Sequence, residues 1–181
     1  MLFSGILRHL CRSGWLAGCL VMANAHAAVD ALPHHYQDWT YQCAPSSNNL
    51  AVPSCEVSQA VKIDRQGHLV TILELALSKQ GPTHHVLTIL APLNLYLPSG
   101  FELAWGTHHS HAVPFLSCSR QGCLARMRVT PALLAGLKHQ SRATGLFRLA
   151  NHKEVRLLFS LKGFSDAFAV LQQNGPGPVR H

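Results

Sequence analysis

The sequence predicts an all-β fold, an antiparallel β-sandwich or barrel-like sandwich with two short helices. Three observations support this. Short apolar or alternating runs, about eight in all, follow one another at regular spacing with turn-forming residues between them. The chain has 181 residues, enough for one domain with a proper core. Charged residues make up 13% and hydrophobic residues 48%, yet no run of about 18 apolar residues follows the N-terminus.

The strands are predicted from alternation or from apolar runs that lie between turns. Trp39, Tyr41 and Cys43 alternate with polar neighbours, which is typical of a half-buried strand. The run from 55 to 63 alternates in the same way, and a Gly-Pro turn separates the next two apolar runs. The predicted strands cover 38–43, 55–63, 68–77, 85–90, 101–105, 112–116, 124–129, 144–149 and 155–161.

A hairpin is predicted near the middle of the chain. A turn at Pro98-Ser99-Gly100 precedes its first strand, at 101–105, and a polar tip at 106–111 leads into the second, at 112–116. The segment from Cys118 to Cys123 then reverses the chain, because Gly122 permits the backbone angles of a tight turn.

Two short helices are predicted near the C-terminus. Thr130 can cap a helix and Pro131 suits its first position, so the first helix starts there and ends near Leu137 or Lys138. Ser165 is expected to cap the second, which runs through Leu171.

The first 27 residues resemble an export signal. Arg8 and Arg12 give a positive start, 14–23 is a short apolar run, and Ala25-His26-Ala27 provides small residues for cleavage after Ala27. An alternative is lipid attachment at Cys19, but that cysteine lies inside the apolar run, so plain secretion to the periplasm or medium is favoured. The chain therefore divides into a signal peptide at 1–27, an N-terminal extension at 28–37, one β domain at 38–173 and a disordered tail at 174–181.

Export would leave four cysteines, which in an oxidising compartment predicts two disulfides. Three connectivities are possible. The local one is favoured because each pair brackets turn-forming residues. It joins Cys43 to Cys55 and Cys118 to Cys123.

The charge of the exported chain is moderately basic. Removing Arg8 and Arg12 from 15 basic residues leaves 13 against 8 acidic ones, a net charge of +5. Such a charge favours an anionic surface as a partner, but the basic residues are too scattered to indicate specific nucleic-acid binding. No membrane-spanning segment is expected after signal removal.

Motifs spread over the whole predicted domain resemble the invasion-associated locus B family of exported bacterial proteins. They are Asp38-Trp39-Thr40, Cys43, Cys55-Glu56, Leu97-Pro98-Ser99-Gly100, Pro114-Phe115, Cys118, Gly122-Cys123 and the run from Ser160 to Ser165. The resemblance implies a periplasmic or secreted all-β domain, associated in some pathogens with invasion of host cells. It brings no catalytic activity and no catalytic residues.

Histidine is unusually frequent, with 13 in the chain. His109 and His111 would point the same way if the hairpin tip were extended, and with His108 or another ligand they could bind zinc or copper. The alternative is an exposed turn that carries polar imidazoles, and it is favoured.

These observations predict a non-enzymatic, exported protein that contacts an envelope or host protein and needs no cofactor. The alternative is a periplasmic metal-binding protein that uses the histidine-rich tip. The sequence contains no His-Glu-x-x-His, Gly-x-Ser-x-Gly or phosphate-binding glycine loop, so an enzyme is the minority interpretation.

Overall fold

The computed structural model describes residues 32–44, 54–81 and 83–174. The predicted signal peptide, the alternative lipid attachment at Cys19, the loop at 45–53 and the tail from 175 onward lie outside the described residues. Within the described part of the chain, no helix is long and apolar enough to cross a membrane.

Eleven strands and two helices make up the described fold. The strands are β1 (His34–Tyr36), β2 (Trp39–Ala44), β3 (Ser54–Arg65), β4 (His68–Gln80), β5 (His84–Ala91), β6 (Glu102–Trp105), β7 (His108–His109), β8 (Phe115–Ser119), β9 (Gly122–Arg128), β10 (Arg142–Arg148) and β11 (Glu154–Ser160). The helices are α1 (Pro131–His139) and α2 (Phe164–Asn174), and a single 3-10 turn spans Leu97–Ser99.

The strands form two antiparallel sheets. The larger has seven strands in the order β1-β2-β3-β4-β5-β9-β8, and the smaller has four in the order β11-β10-β6-β7. The predicted sandwich is confirmed, because the apolar residues of both sheets and of α2 join in one core. Alternation along β2, β5 and β6 sends every second side chain into that core.

The two sheets approach each other closely at Gly145 in β10. A Cβ at this position would lie 2.9 Å from the Phe101 ring and 3.2 Å from a Leu73 methyl on the opposite sheet. A larger residue at 145 would therefore collide with the core.

The predicted hairpin of 101–105 with 112–116 is wrong in its second half. The chain reverses already at Gly106, with φ of 56°, so that Trp105 pairs with His108 and the expected tip contains strand β7. One further bridge joins Phe101 to Val113. Pro114 has no N–H with which to continue that ladder, and the next strand, β8, pairs with β9 in the other sheet.

One of the two predicted helix caps is confirmed and the other is wrong. Thr130 caps α1, and its side chain accepts a hydrogen bond of 3.2 Å from the Leu133 N–H, as the sequence predicts. Ser165 does not cap α2, because that helix starts at Phe164; its hydroxyl instead donates to the Lys138 carbonyl at 3.2 Å. The stretch at 28–37, left outside the domain by the sequence, contains β1, which pairs with β2.

Helix α2 covers one side of the seven-stranded sheet. Phe164, Ala167, Phe168 and Leu171 are buried on one face of the helix, as the spacing of helical neighbours requires. The chain enters the helix through Gly163, which has a φ of 82° and lies against the Tyr36 backbone carbonyl. A side chain at 163 would therefore overlap backbone as well as adopt an unfavourable conformation.

Candidate functional site

The histidines singled out in the sequence lie on and just beyond β7. His108 is opposite Trp105 in the ladder, and the two rings stack with centroids 5.9 Å apart and planes at 25°. His109 is opposite Ala104. Successive side chains in a strand point to opposite faces, so the two imidazoles diverge.

The structure does not assemble His108, His109 and His111 as metal ligands. Among the described residues there is no group of three or more His, Cys, Asp or Glu side chains that could hold a metal ion. Strand β7 ends at His109, but Ser110 still pairs with Leu103, through an N–H donated to its carbonyl at 2.7 Å and a hydroxyl that accepts its N–H at 2.8 Å. The expectation that His109 and His111 point the same way stays a prediction, as does zinc or copper binding.

The three histidines instead border a groove of about 420 Å³ between the small sheet, β9 and the start of α1. We call it the His–Trp groove. It is defined here by Trp105, Val113, Met127 and Leu133 in its floor and by His108, His109, His111 and Arg128 around them.

The floor of the His–Trp groove is apolar and firmly placed. Trp105 is only 8% exposed, and its ring lies so close to Gly136 of α1 that a Cβ there would overlap it. Met127 and Leu133 are also buried. The Thr130 cap sets the start of α1 and so fixes where Leu133 enters the floor.

The ionisable side chains that border the groove are all basic. Among the described residues that line it they are Arg128 and the three histidines, and none is acidic. Arg126 lies two residues earlier on the same face of β9 but does not line the groove. The sequence indicated the alternation of Arg126 and Arg128, but not that Arg128 alone meets the histidines.

The four cysteines form two cross-strand disulfides. Cys43 in β2 is bonded to Cys55 in β3, with Cα atoms 4.0 Å apart. Cys118 in β8 is bonded to Cys123 in β9, again with Cα atoms 4.0 Å apart. This is the local pairing that the turn-forming residues favour, and each bond joins residues that are direct partners in a strand ladder.

Two buried polar side chains lie outside the His–Trp groove. His85, at the start of β5, packs against the Phe168 ring with centroids 5.1 Å apart, and its Nε2 lies 2.9 Å from Gln172 Nε2. Burial lowers its pKa below the ordinary value, and nearby Lys79 and Lys138 act in the same direction. The sequence could have indicated that His85 is buried, because it lies on the same strand face as Leu87 and Ile89.

Gln59 in β3 is the second buried polar side chain. Its Nε2 donates to the Asp38 carbonyl at 2.9 Å, whereas its Oε1 is buried without a hydrogen-bond partner. An unpaired buried acceptor of this kind costs about 1–3 kcal/mol.

Comparison with known proteins gives consistent results. The model of the family described as "Invasion associated locus B (IalB) protein" matches residues 39–172. The chain is 28% identical over 151 residues to invasion protein B homologs of two Brucella abortus strains, covering 83% of this chain and 84% of each relative. It is also similar to the crystal structure of invasion associated protein b from Bartonella henselae, with a TM-score of 0.67, 15% identity, and coverage of 77% of this chain and 95% of that one.

Proposed function

Because the chain belongs to the invasion associated locus B family, we propose that it is an exported, non-enzymatic interaction protein of the bacterial envelope that takes part in host-cell invasion. The observation that carries this proposal is the extent of the family match. Residues 39–172 run from the first residue of β2 almost to the end of α2, so the match includes both sheets and both helices. The Brucella relatives carry names that refer to invasion.

The disulfides support export. Disulfides persist in oxidising compartments such as the periplasm and are rare in the cytosol. Here all four cysteines of the predicted mature chain are used, in two bonds. Both are direct cross-strand links, so each stabilises a strand pair that the fold already contains.

The edges of the sheets support contact with another protein. β11 is an outer strand of the small sheet and β8 is an outer strand of the large one. An outer strand presents unpaired N–H and C=O groups to which a partner can add a strand. Leu158 on β11 is 56% exposed and Leu116 on β8 is 59% exposed, so both edges also offer apolar surface.

Cell fractionation tests the export part. The full chain with a C-terminal tag, produced in its native bacterium, should be recovered from the periplasm or medium, with its thiols resistant to alkylation until reduced. Recovery from the cytoplasm with all of its cysteines as free thiols would overturn export. Stoichiometric zinc or copper in the periplasmic protein would favour the metal-binding alternative.

Deletion of the gene tests the part in invasion. A deletion strain should invade cultured host cells less often, and the wild-type gene should restore invasion. A copy that lacks the export signal is the matched control and should not restore it. Unchanged invasion by the deletion strain, with export intact in the parent, would remove the invasion role alone.

A further inference from the structure

The His–Trp groove has the size and floor of a small-molecule site. Its volume of about 420 Å³ lies within the range of about 300–1,000 Å³ that is typical of ligand pockets. The floor is built from Trp105, Met127 and Leu133, all of which are buried. Because Gly136 receives the Trp105 ring, the floor is formed before any ligand arrives.

The charge around the groove determines which head group is favoured on an otherwise apolar ligand. Arg128 is always charged and presents a planar set of donors that matches a carboxylate. His108, whose imidazole stacks on the Trp105 ring of the floor, can add an N–H donor, and the described lining contains no carboxylate to compete with a ligand. An anionic head is therefore attracted, whereas a cationic head faces like charge.

We propose that the His–Trp groove binds a free amphipathic anion, an acyl chain that carries a carboxylate head. The chain lies on Trp105, Met127 and Leu133, and the head is held by Arg128 and His108. Binding at this groove does not depend on export or on invasion, so this proposal and the proposed function can fail separately.

A titration with four probes tests the chemistry of the ligand. The purified full chain is titrated by calorimetry with sodium decanoate, decanol, decyltrimethylammonium and sodium acetate, all as free monomers. Decanoate should bind most tightly, because it alone satisfies both the floor and the basic border. No binding of decanoate, or equal affinity for decanol, would overturn the proposal.

Two arginine variants test the location. Arg128→Gln should weaken decanoate binding by about fivefold, the size expected for a partly exposed ion pair, and should leave decanol binding unchanged. Arg126→Gln is the matched control, since it removes the same charge from the same strand face outside the groove. Equal weakening in both variants would mean that general positive charge attracts decanoate, and would overturn the site.

A third variant tests the apolar floor. Met127→Gln changes a floor residue into a polar one of similar length and should reduce binding of decanoate and decanol together. Its circular dichroism and unfolding midpoint report whether it folds. If it does not fold, the Arg128→Gln and Arg126→Gln pair still decides the outcome. Vesicles of phosphatidylglycerol form a separate arm, and binding to them without binding to free decanoate would assign the basic surface to a lipid membrane and overturn the proposal.

Discussion

Two tryptophans on opposite margins of the sandwich show how differently the same side chain is used. Trp39 is 1% exposed; its indole N–H donates to the Ser160 carbonyl at 3.1 Å, and the Phe164 ring meets it edge-on at 4.9 Å. Trp105 is 8% exposed, but it lies in the floor of a groove. We call these the closed margin, where β2 meets β11 and α2, and the open margin, where β6 and β7 meet β9 and α1.

The difference arises from the elements that pack beside each tryptophan. At the closed margin α2 supplies the Phe164 ring, which packs against Trp39. At the open margin the ring next to Trp105 is an imidazole from a two-residue strand, and the chain then leaves for the other sheet at Pro114. The closed margin is therefore expected to contribute more to stability, whereas the open margin leaves a groove that a ligand can enter.

Truncation of the two tryptophans should give the largest contrast. Trp39→Ala should lower the free energy of unfolding by about 3–5 kcal/mol, because it leaves a cavity in a closed core and an unpaired carbonyl at Ser160. Trp105→Ala should cost less, because the space it leaves opens into the groove and fills with water. Urea unfolding measures both, and equal losses would contradict the distinction between the margins.

Glycine substitution tests how tightly the closed margin is packed. Gly163→Ala should cost about 3 kcal/mol, since its positive φ adds strain and its Cβ would overlap the Tyr36 carbonyl. Gly67→Ala is the matched control, with a φ of 83° and nothing within 4 Å of the added Cβ. It should cost about 1 kcal/mol. Thermal unfolding that ranks them equally would show that the conformation, and not the packing, sets the cost.

Removing each disulfide in turn compares the cross-link between β2 and β3 with the cross-link between β8 and β9. Replacing Cys43 and Cys55 by serine should cost about 3 kcal/mol and replacing Cys118 and Cys123 about 2 kcal/mol, by the chain-entropy relation. The separations of 12 and 5 residues set this order. Denaturant unfolding of the two double variants measures it, and the reverse order would show that the loop model fails here.

The pH dependence of stability examines the far end of α2, where His85 meets Phe168 and Gln172. The lowered pKa means that the folded state favours neutral His85, and the charges that face it are Lys79, Lys138 and His84. Its contribution to stability should be complete above pH 6.5, the ordinary value, and should decline as the pH falls towards the folded-state pKa. His85→Gln should reduce the change of the unfolding free energy with pH in that window. If the variant kept the wild-type pH dependence, His85 would not be its source.

Local patterns predicted most of the fold, because alternation and turn residues act over a few positions. Thr130-Pro131 marked α1 correctly, and Trp39, Tyr41 and Cys43 marked β2. The path after Gly106 could not be predicted in this way. Whether 112–116 continues a hairpin or crosses to the other sheet depends on partners in β9 that are distant in sequence.

The candidate site was predicted in part. The sequence directed attention to His108, His109 and His111, but the apolar floor beside them comes from β6, β9 and α1, which only tertiary structure brings together. The spacing of the histidines also could not indicate that strand β7 would end at His109 while Ser110 bonds to Leu103.

The absence of a side chain at Gly145 has a consequence for the molecule as a whole. Phe101 and Leu73 rest against its bare backbone, so the two sheets can approach this closely only because position 145 carries no Cβ. Even one added methyl there would force the buried Phe101 ring or the buried Leu73 side chain to shift.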